Sequence, residues 1–253
     1  MSKADFSKTT ELRISAYRLN HSFSSGYMTT GTTSRLLIFY GQTGVGKSTQ
    51  IRLLARRLEK RGLKVRCARV KPYYPLTRLL LKYCGKTDPS IRRWISHAAC
   101  NLCASHASLF KSTIAIDSAI NILTLLIASI FKVHIFLRLK HVVIVEEYLL
   151  ETVTDYRYAC ENRYLNLRLG LVLVNLLLRF IPRDSIEVIL ASNCSSLEDR
   201  GIKRRSSSEN SEYLATQQVI MEFCKKNMNN SIYIDTDNKN INDVHREILS
   251  KFL

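Results

Sequence analysis

Short apolar runs recur along the chain and alternate with longer stretches in which apolar residues follow a helical spacing. Such runs, rich in Val and Ile and bounded by Gly, Pro or polar residues, are typical of buried strands. They cover residues 35–40, 141–147, 185–192 and 231–235, while residues 64–70 alternate in character and also predict a strand. Helical spacing covers residues 49–62, 76–84, 90–110, 114–137, 148–180, 213–227 and 242–252. Strands alternating with helices predict a three-layer α/β/α fold around a five-stranded parallel sheet.

Single residues mark the boundaries of several predicted helices. Gly62 follows the last apolar residue of the helix over residues 49–62 and is a candidate C-cap. Gly170 lies inside the apolar stretch 148–180 and predicts a break there. Asn240 and Asn242 both lie at the start of the last helix, and either could be its N-cap.

The composition favours one folded domain preceded by an arm. Of 253 residues 46% are hydrophobic, which excludes a wholly disordered chain. Residues 1–34 are polar and rich in Ser and Thr, so we expect an N-terminal arm there and one domain over residues 35–253. The chain starts without an apolar leader segment and has seven scattered cysteines, which predicts a cytoplasmic protein with reduced thiols.

The positive charge is concentrated in the first half of the chain. The net charge is +17, with 24 bases and 5 acids in residues 1–140 but 14 bases and 16 acids in residues 141–253. A basic half of this kind could bind polyphosphate, nucleic acid, an anionic surface or an acidic partner. It could equally be a solvated surface, and charge alone does not choose.

The most apolar stretch covers residues 119–137. Its apolar runs are interrupted by Asn121, Lys132 and His134, whereas a membrane-spanning helix needs about 20 mostly apolar residues. We therefore expect a buried helix, with contact to a membrane or a partner chain as open alternatives.

A glycine-rich motif lies between the first predicted strand and the first long helix. Residues 41–48 read GQTGVGKS and fit G-x-x-x-x-G-K-[ST] in full, in the strand–loop–helix context that the motif requires. Its glycines let the backbone wrap round a polyphosphate, Lys47 neutralises phosphate oxygens, and the Ser48 hydroxyl ligates Mg²⁺. The motif therefore predicts binding of ATP and Mg²⁺. The predicted nucleotide-binding residues are Gly41, Gln42, Thr43, Gly44, Val45, Gly46, Lys47, Ser48 and Thr49.

Two acids follow the third predicted strand. Glu146 and Glu147 stand where an apolar parallel strand ends, beside the glycine-rich loop in a sheet of this kind. A carboxylate at that place can hold Mg²⁺, for which Glu146 is the candidate, or act as a base. The alternative is that the acids only favour the N-terminus of the following helix.

A basic segment follows the fourth predicted strand. Arg200, Arg204 and Arg205 lie close together and are followed by a run of serines. A helical lid over about 198–212 that brings these arginines to a transferred phosphoryl group would suit phosphoryl transfer. A solvated basic loop is the alternative.

The order of these parts resembles the thymidylate kinase family of P-loop nucleoside monophosphate kinases, especially its divergent archaeal-type members. The resemblance is carried by the motif at 41–48 and by residues 143–156, 190–205 and 231–249. It implies ATP–Mg²⁺-dependent transfer of the γ-phosphoryl group to a nucleoside monophosphate such as dTMP, with Lys47, Glu146, Glu147 and the three arginines as catalytic residues. It also implies a homodimer.

The chain departs from that family at two places. The family carries an Asp-Arg-Tyr element after its third strand, where this chain has Glu146-Glu147-Tyr148, so a cation expected near the acceptor phosphate is replaced by an acid. After the second strand the family has a Glu-Pro element, and this chain has Lys71-Pro72. Lys71 could partly replace the missing cation.

Two other functions are compatible with the motif. An ATPase of the AAA type would use Glu146 and Glu147 as its tandem acids and Asn193 as its polar sensor, but the long interval from Lys47 to Glu146 and the strand over residues 231–235 argue against it. A non-catalytic nucleotide-binding module would use its basic half to hold nucleic acid or an acidic partner.

Overall fold

The structure is a computed structural model, and it describes part of the chain. The described residues are 35–71, 75–83, 113, 116–163, 168–178, 180–182, 184–203, 211–227 and 231–252. The predicted arm, the predicted helix over residues 90–110, and Arg204 and Arg205 lie outside them. The division into an arm and one domain therefore stays a prediction.

Five strands form one parallel sheet within the described residues, in the order β2-β3-β1-β4-β5. The strands are β1 Leu36–Gly41, β2 Val65–Arg69, β3 Val142–Glu146, β4 Ile186–Ala191 and β5 Ser231–Asp235. All four pairings are parallel. The predicted five-stranded sheet is confirmed, with strand bounds within about two residues of those expected.

Helices connect the strands. They are α1 Lys47–Glu59, α2 Pro75–Tyr83, α3 Ile116–Arg138, α4 Leu149–Arg163, α5 Arg168–Leu178, α6 Cys194–Lys203, α7 Ser211–Asn227 and α8 Ile241–Phe252. Of the helix expected over residues 148–180 the structure describes α4 and α5, and residues 164–167 and 179 lie outside the described residues. The break predicted at Gly170 is wrong, because α5 runs through this position.

The sheet separates two cores, as its alternating side chains require. In β1, Leu36 and Ile38 face a core that includes residues of α3, α4, α5 and α7. Leu37 and Phe39 face the opposite core, which α1 and α8 cover. Helices on both faces of a parallel sheet, with the glycine-rich loop after its middle strand, are the P-loop NTPase fold, so the predicted fold class is confirmed.

Two helix ends follow local signals in the sequence. Gly62 lies just beyond α1 with φ +79° and, as expected of a C-cap, Leu63 donates its N–H to the Leu58 carbonyl. At α8, Asn240 is the N-cap: its side-chain oxygen accepts the N–H groups of Asn242 and Asp243 at 2.9 and 3.0 Å.

Helix α3 is the long apolar helix of the described part of the chain. By length and composition alone it could cross a membrane, with a mean hydropathy of 2.1 and 28% burial over its most apolar window. Leu125 and Val133 nevertheless lie in the core against the sheet. A π-helical turn at Ile130–His134 interrupts it. Membrane or partner contact through residues 119–137 stays a prediction.

Candidate functional site

The loop between β1 and α1 has a backbone that its glycines make accessible. Gly41 has φ +149°, and a Cβ at this position would lie 2.3 Å from the carbonyl oxygen of Leu190 on the neighbouring strand β4. Gly46 has φ +106° and is the N-cap of α1. Left-handed backbone and close backbone contact are both conditions that glycine meets without steric cost.

The positive N-terminus of α1 is not neutralised by any side chain of the helix itself. No side chain caps it, and no acid lies in its first turn. The first N–H groups of a helix have no partner within the helix, and the aligned peptide dipoles make this end positive. An anion at the loop would meet these groups directly, so the geometry fits a phosphate.

Lys47 is buried and folded over the loop. It is 5% exposed, and its Nζ donates to the carbonyl oxygens of Gly41 at 2.7 Å and Gln42 at 3.1 Å. The same ammonium is 3.9 Å from Oε1 of Glu147. The charge is therefore held inside the curve of the loop, where a bound polyphosphate would need it.

Two glutamines support the loop from distant elements, and sequence reasoning did not assign them this role. The side-chain oxygen of Gln42 accepts the N–H of Ser192, beyond β4, at 2.9 Å. The side-chain oxygen of Gln217 on α7 accepts the N–H of Thr43 at 3.3 Å. Both glutamines are buried, so these bonds fix the loop against β4 and α7.

Ser48 and Glu146, the two residues that the sequence predicts to hold a metal ion, are in contact. Strands β1 and β3 are direct neighbours with Phe39 opposite Glu146, which puts the carboxylate beside the loop. The Ser48 hydroxyl donates a hydrogen bond to Oε1 of Glu146. A hydroxyl and a carboxylate are the hard oxygen donors that Mg²⁺ takes in proteins, so this pair fits the ion.

Cations from the end of β2 bind both glutamates. Nη2 of Arg69 lies 2.5 Å from Oε2 of Glu146, and its Nε lies 3.4 Å from Oε2 of Glu147. Lys71 forms an ion pair with the same Glu147 oxygen. Arg69 was not identified from the sequence, although it stands opposite Glu146 in the β2–β3 register.

Glu147 is held in an unusual backbone conformation. Its φ is +56°, in the left-handed region that residues with a Cβ rarely adopt, and its N–H donates to the Phe39 carbonyl at 3.3 Å. The side chain is 9% exposed. Such a conformation costs free energy and persists only where surrounding contacts enforce it, as at functional sites.

Two titratable groups beside this acid–cation cluster have shifted pKa values. Burial, opposed by the carboxylates of Glu151 and Asp155, lowers the pKa of Lys71. Burial and the nearby Glu151 carboxylate raise the pKa of Asp155 to about 7. Tyr213 of α7 donates its hydroxyl to Asp155 at 2.6 Å, which moderates that rise.

Of the predicted lid residues the structure describes Arg200, which does not lie beside Glu146 and Glu147. Arg200 lies in α6, and its guanidinium donates to the hydroxyl and carbonyl oxygens of Thr236, after β5, at 3.2 and 2.9 Å. Strand β5 is three positions from β3, about 14 Å at the usual strand spacing. Arg200 is thus not grouped with Glu146 and Glu147. The arginine lid stays a prediction, because Arg204 and Arg205 lie outside the described residues.

No protein-family model matches the chain, and no curated protein matches it. The solved structures that are similar to the chain include two kinases. One is a thymidylate kinase from Ehrlichia chaffeensis, 19% identical, with a TM-score of 0.43, covering 87% of this chain and 98% of that one. The other is a gluconokinase from Sinorhizobium meliloti 1021, 14% identical, also with a TM-score of 0.43, covering 88% of this chain and 93% of that one.

Proposed function

We propose that this protein is an ATP–Mg²⁺-dependent kinase that transfers the γ-phosphoryl group of ATP to a small acceptor. One observation carries the proposal: the buried Lys47 ammonium lies inside a glycine loop, beside a Ser48–Glu146 pair suited to a metal ion. A P-loop alone supports nucleotide binding. The metal pair next to it supports phosphoryl transfer as well.

The residues of the loop would hold the polyphosphate and neutralise it. The N–H groups at the start of α1 point toward the anion, and Lys47 exchanges its carbonyl partners for phosphate oxygens. Mg²⁺ held by Ser48 and Glu146 would neutralise charge that develops on the phosphoryl oxygens. Catalysis then rests on alignment and charge rather than on a covalent intermediate.

The acceptor would lie at the carboxyl ends of β2 and β3. In open parallel sheets ligands bind in the crevice beyond these ends. Arg69, Lys71 and Glu147 converge there, next to Lys47. A nucleoside monophosphate, dTMP included, is the acceptor that the resemblance implies. A homodimer and contact of the basic half with nucleic acid or an anionic surface are further predictions of the sequence.

Neither alternative function is favoured by the site. For an AAA-type ATPase, Asn193 would act as a sensor, yet its backbone N–H binds Asp237 and its side chain is exposed on the β5 side of the sheet. A non-catalytic module would bind ATP and Mg²⁺ through the same loop and would form no ADP. Both remain as outcomes of the assay.

Acceptor-dependent ADP formation tests the proposal. The full chain is incubated with ATP and Mg²⁺, with and without a panel of nucleoside monophosphates, nucleosides and polyols, and ADP is measured by a coupled assay. ADP that depends on one acceptor supports a kinase. ADP formed equally without acceptor would contradict it in favour of an ATPase, and Mg²⁺-dependent ATP binding without any ADP would contradict it in favour of a module.

A further inference from the structure

Two cations at the proposed acceptor end of the site, Arg69 and Lys71, are already paired with carboxylates of the protein. Arg69 contacts Glu146 and Glu147, and Lys71 pairs with Glu147. A kinase whose acceptor carries a phosphate needs cations that are available to that phosphate. In the part of the chain that the structure describes, the two cations at the carboxyl end of β2 both form ion pairs with carboxylates.

The surroundings of Lys71 hold further carboxylates as well as cations. Burial lowers the pKa of the Lys71 ammonium, whereas the carboxylates of Glu151 and Asp155, one turn apart on α4, raise it. The cations Arg69 and Lys47 lower it. Glu147 is buried, and its backbone is fixed by the bond to Phe39, so this carboxylate cannot simply move aside. A phosphate dianion placed here would be repelled by the Glu147 and Glu151 carboxylates and would have to displace Glu147 from Arg69 and Lys71.

The same arrangement suits a hydroxyl group. A carboxylate accepts a hydrogen bond from a hydroxyl and can take its proton, as the catalytic aspartate of protein kinases does. Glu147 extends from the end of β3 toward Lys47, with its Oε1 3.9 Å from the Lys47 ammonium, and Lys47 marks the phosphate end of the site. An acceptor hydroxyl bound to Glu147 would therefore lie next to the transferred group.

On the basis of the kinase function proposed above, we propose that the acceptor is an uncharged hydroxyl compound without a phosphate, a nucleoside or a polyol, and that Glu147 binds the hydroxyl that is phosphorylated. The acceptor oxygen forms a bond to the γ-phosphorus, and the bond from that phosphorus to the β,γ-bridging oxygen breaks with its electron pair going to ADP. The hydroxyl proton passes to the Glu147 carboxylate and then to solvent, so one ATP and one alcohol give ADP, a phosphate monoester and one proton.

Matched acceptor pairs test this inference on the wild-type chain. Thymidine is compared with dTMP, adenosine with AMP, and glycerol with glycerol 3-phosphate, each by kcat/KM for ADP formation. We expect the uncharged member of at least one pair to be preferred by tenfold or more. The pair in which this occurs shows whether the acceptor is a nucleoside or a polyol. Preference for the phosphorylated members would overturn this inference and leave the kinase proposal standing. Absence of acceptor-dependent ADP in every arm would overturn both.

Variants of Glu147 give a second readout. Glu147→Gln should lower kcat by at least about 100-fold, the usual range for loss of a group that accepts the hydroxyl proton. Glu147→Arg should reverse the preference within the matched pairs toward the phosphorylated member. Glu59→Gln, at an exposed position at the end of α1, is the control. Unchanged kcat in a folded Glu147→Gln protein would refute the assigned role.

Discussion

The two halves of this site are built in different ways. The phosphate half comes from nine consecutive residues, 41–49, whose backbone is shaped by glycines and whose lysine bonds to carbonyls of its own loop. The acceptor half is assembled from chain segments far apart, with Arg69 and Glu146 separated by 77 positions in the sequence. Local geometry makes the first half, and long-range charge pairing makes the second.

This difference determines which half of the site tolerates amino-acid substitutions. The loop depends on backbone shape, and Gly41 cannot gain even a methyl group without contact with Leu190. The acceptor half depends on a balance among side-chain charges, so one substitution can change which acceptor is favoured while the fold is kept. Glu147, where the family that the sequence resembles has an arginine, is the residue on which our acceptor proposal rests.

The largest effect is expected from the phosphate half. Lys47→Ala removes the buried ammonium that faces the polyphosphate, and we expect ADP formation to fall by at least about 100-fold. The coupled assay measures it. Lys60→Ala, an exposed lysine just beyond α1, is the matched control and should leave the rate unchanged. Equal activity of the two variants would show that Lys47 is not part of the site.

Loss of the metal pair should have the next largest effect. Glu146→Gln keeps the shape of the side chain but removes the charge that Ser48 and Arg69 contact. The Mg²⁺ concentration needed for half-maximal activity should rise by about 10- to 100-fold, as for other groups that position metals. A Mg²⁺ titration of the rate measures this. An unchanged Mg²⁺ requirement would mean that the pair does not hold the ion.

Asp155 gives a prediction about stability and pH. Its pKa is about 7 in the folded chain and near 3.8 when exposed, so the folded state keeps the proton longer than the unfolded state does. The free energy of unfolding should therefore fall as pH rises through this range, and Asp155→Asn should lessen that fall by about 1 kcal/mol or more. Urea unfolding at several pH values measures it, with the exposed Asp199→Asn as control. Equal pH slopes in both variants would contradict the assignment.

The smallest effect is expected from Arg200. Arg200→Ala removes two hydrogen bonds to Thr236 at the β5 side of the sheet. We expect a loss of about 1 kcal/mol in unfolding free energy and less than about threefold in kcat, because the residue is not grouped with the glutamates. A fall in kcat comparable with that of Lys47→Ala would restore Arg200 as a catalytic residue.

Much of the fold and of the phosphate half could be predicted from the sequence. Strands β1, β3, β4 and β5 are short apolar runs and β2 alternates in character, so each of the five could be predicted, and the motif at residues 41–48 needs only local context. The strand order follows from long-range pairing, which no single segment encodes. The break expected at Gly170 was wrong, because α5 includes this residue although glycine is disfavoured in helices.

The acceptor half was predicted less well. Glu146 was assigned to the metal because it follows β3, but Arg69 became relevant only when the register put it opposite that residue. The ion pair of Lys71 with Glu147 and the Asp155–Tyr213 bond join elements that are remote in sequence. Such contacts depend on how helices pack against the sheet, and residue spacing does not contain that information.

Calorimetric titration of the full chain with ATP, with Mg²⁺ and then with a chelator in its place, tests the central claim most directly. The loop geometry and the Ser48–Glu146 pair predict one ATP bound per chain, with an affinity that drops at least about tenfold when Mg²⁺ is withdrawn. Binding of ATP that is indifferent to Mg²⁺, or no binding at all, would contradict the assignment of this loop and its carboxylate as a nucleotide–metal site.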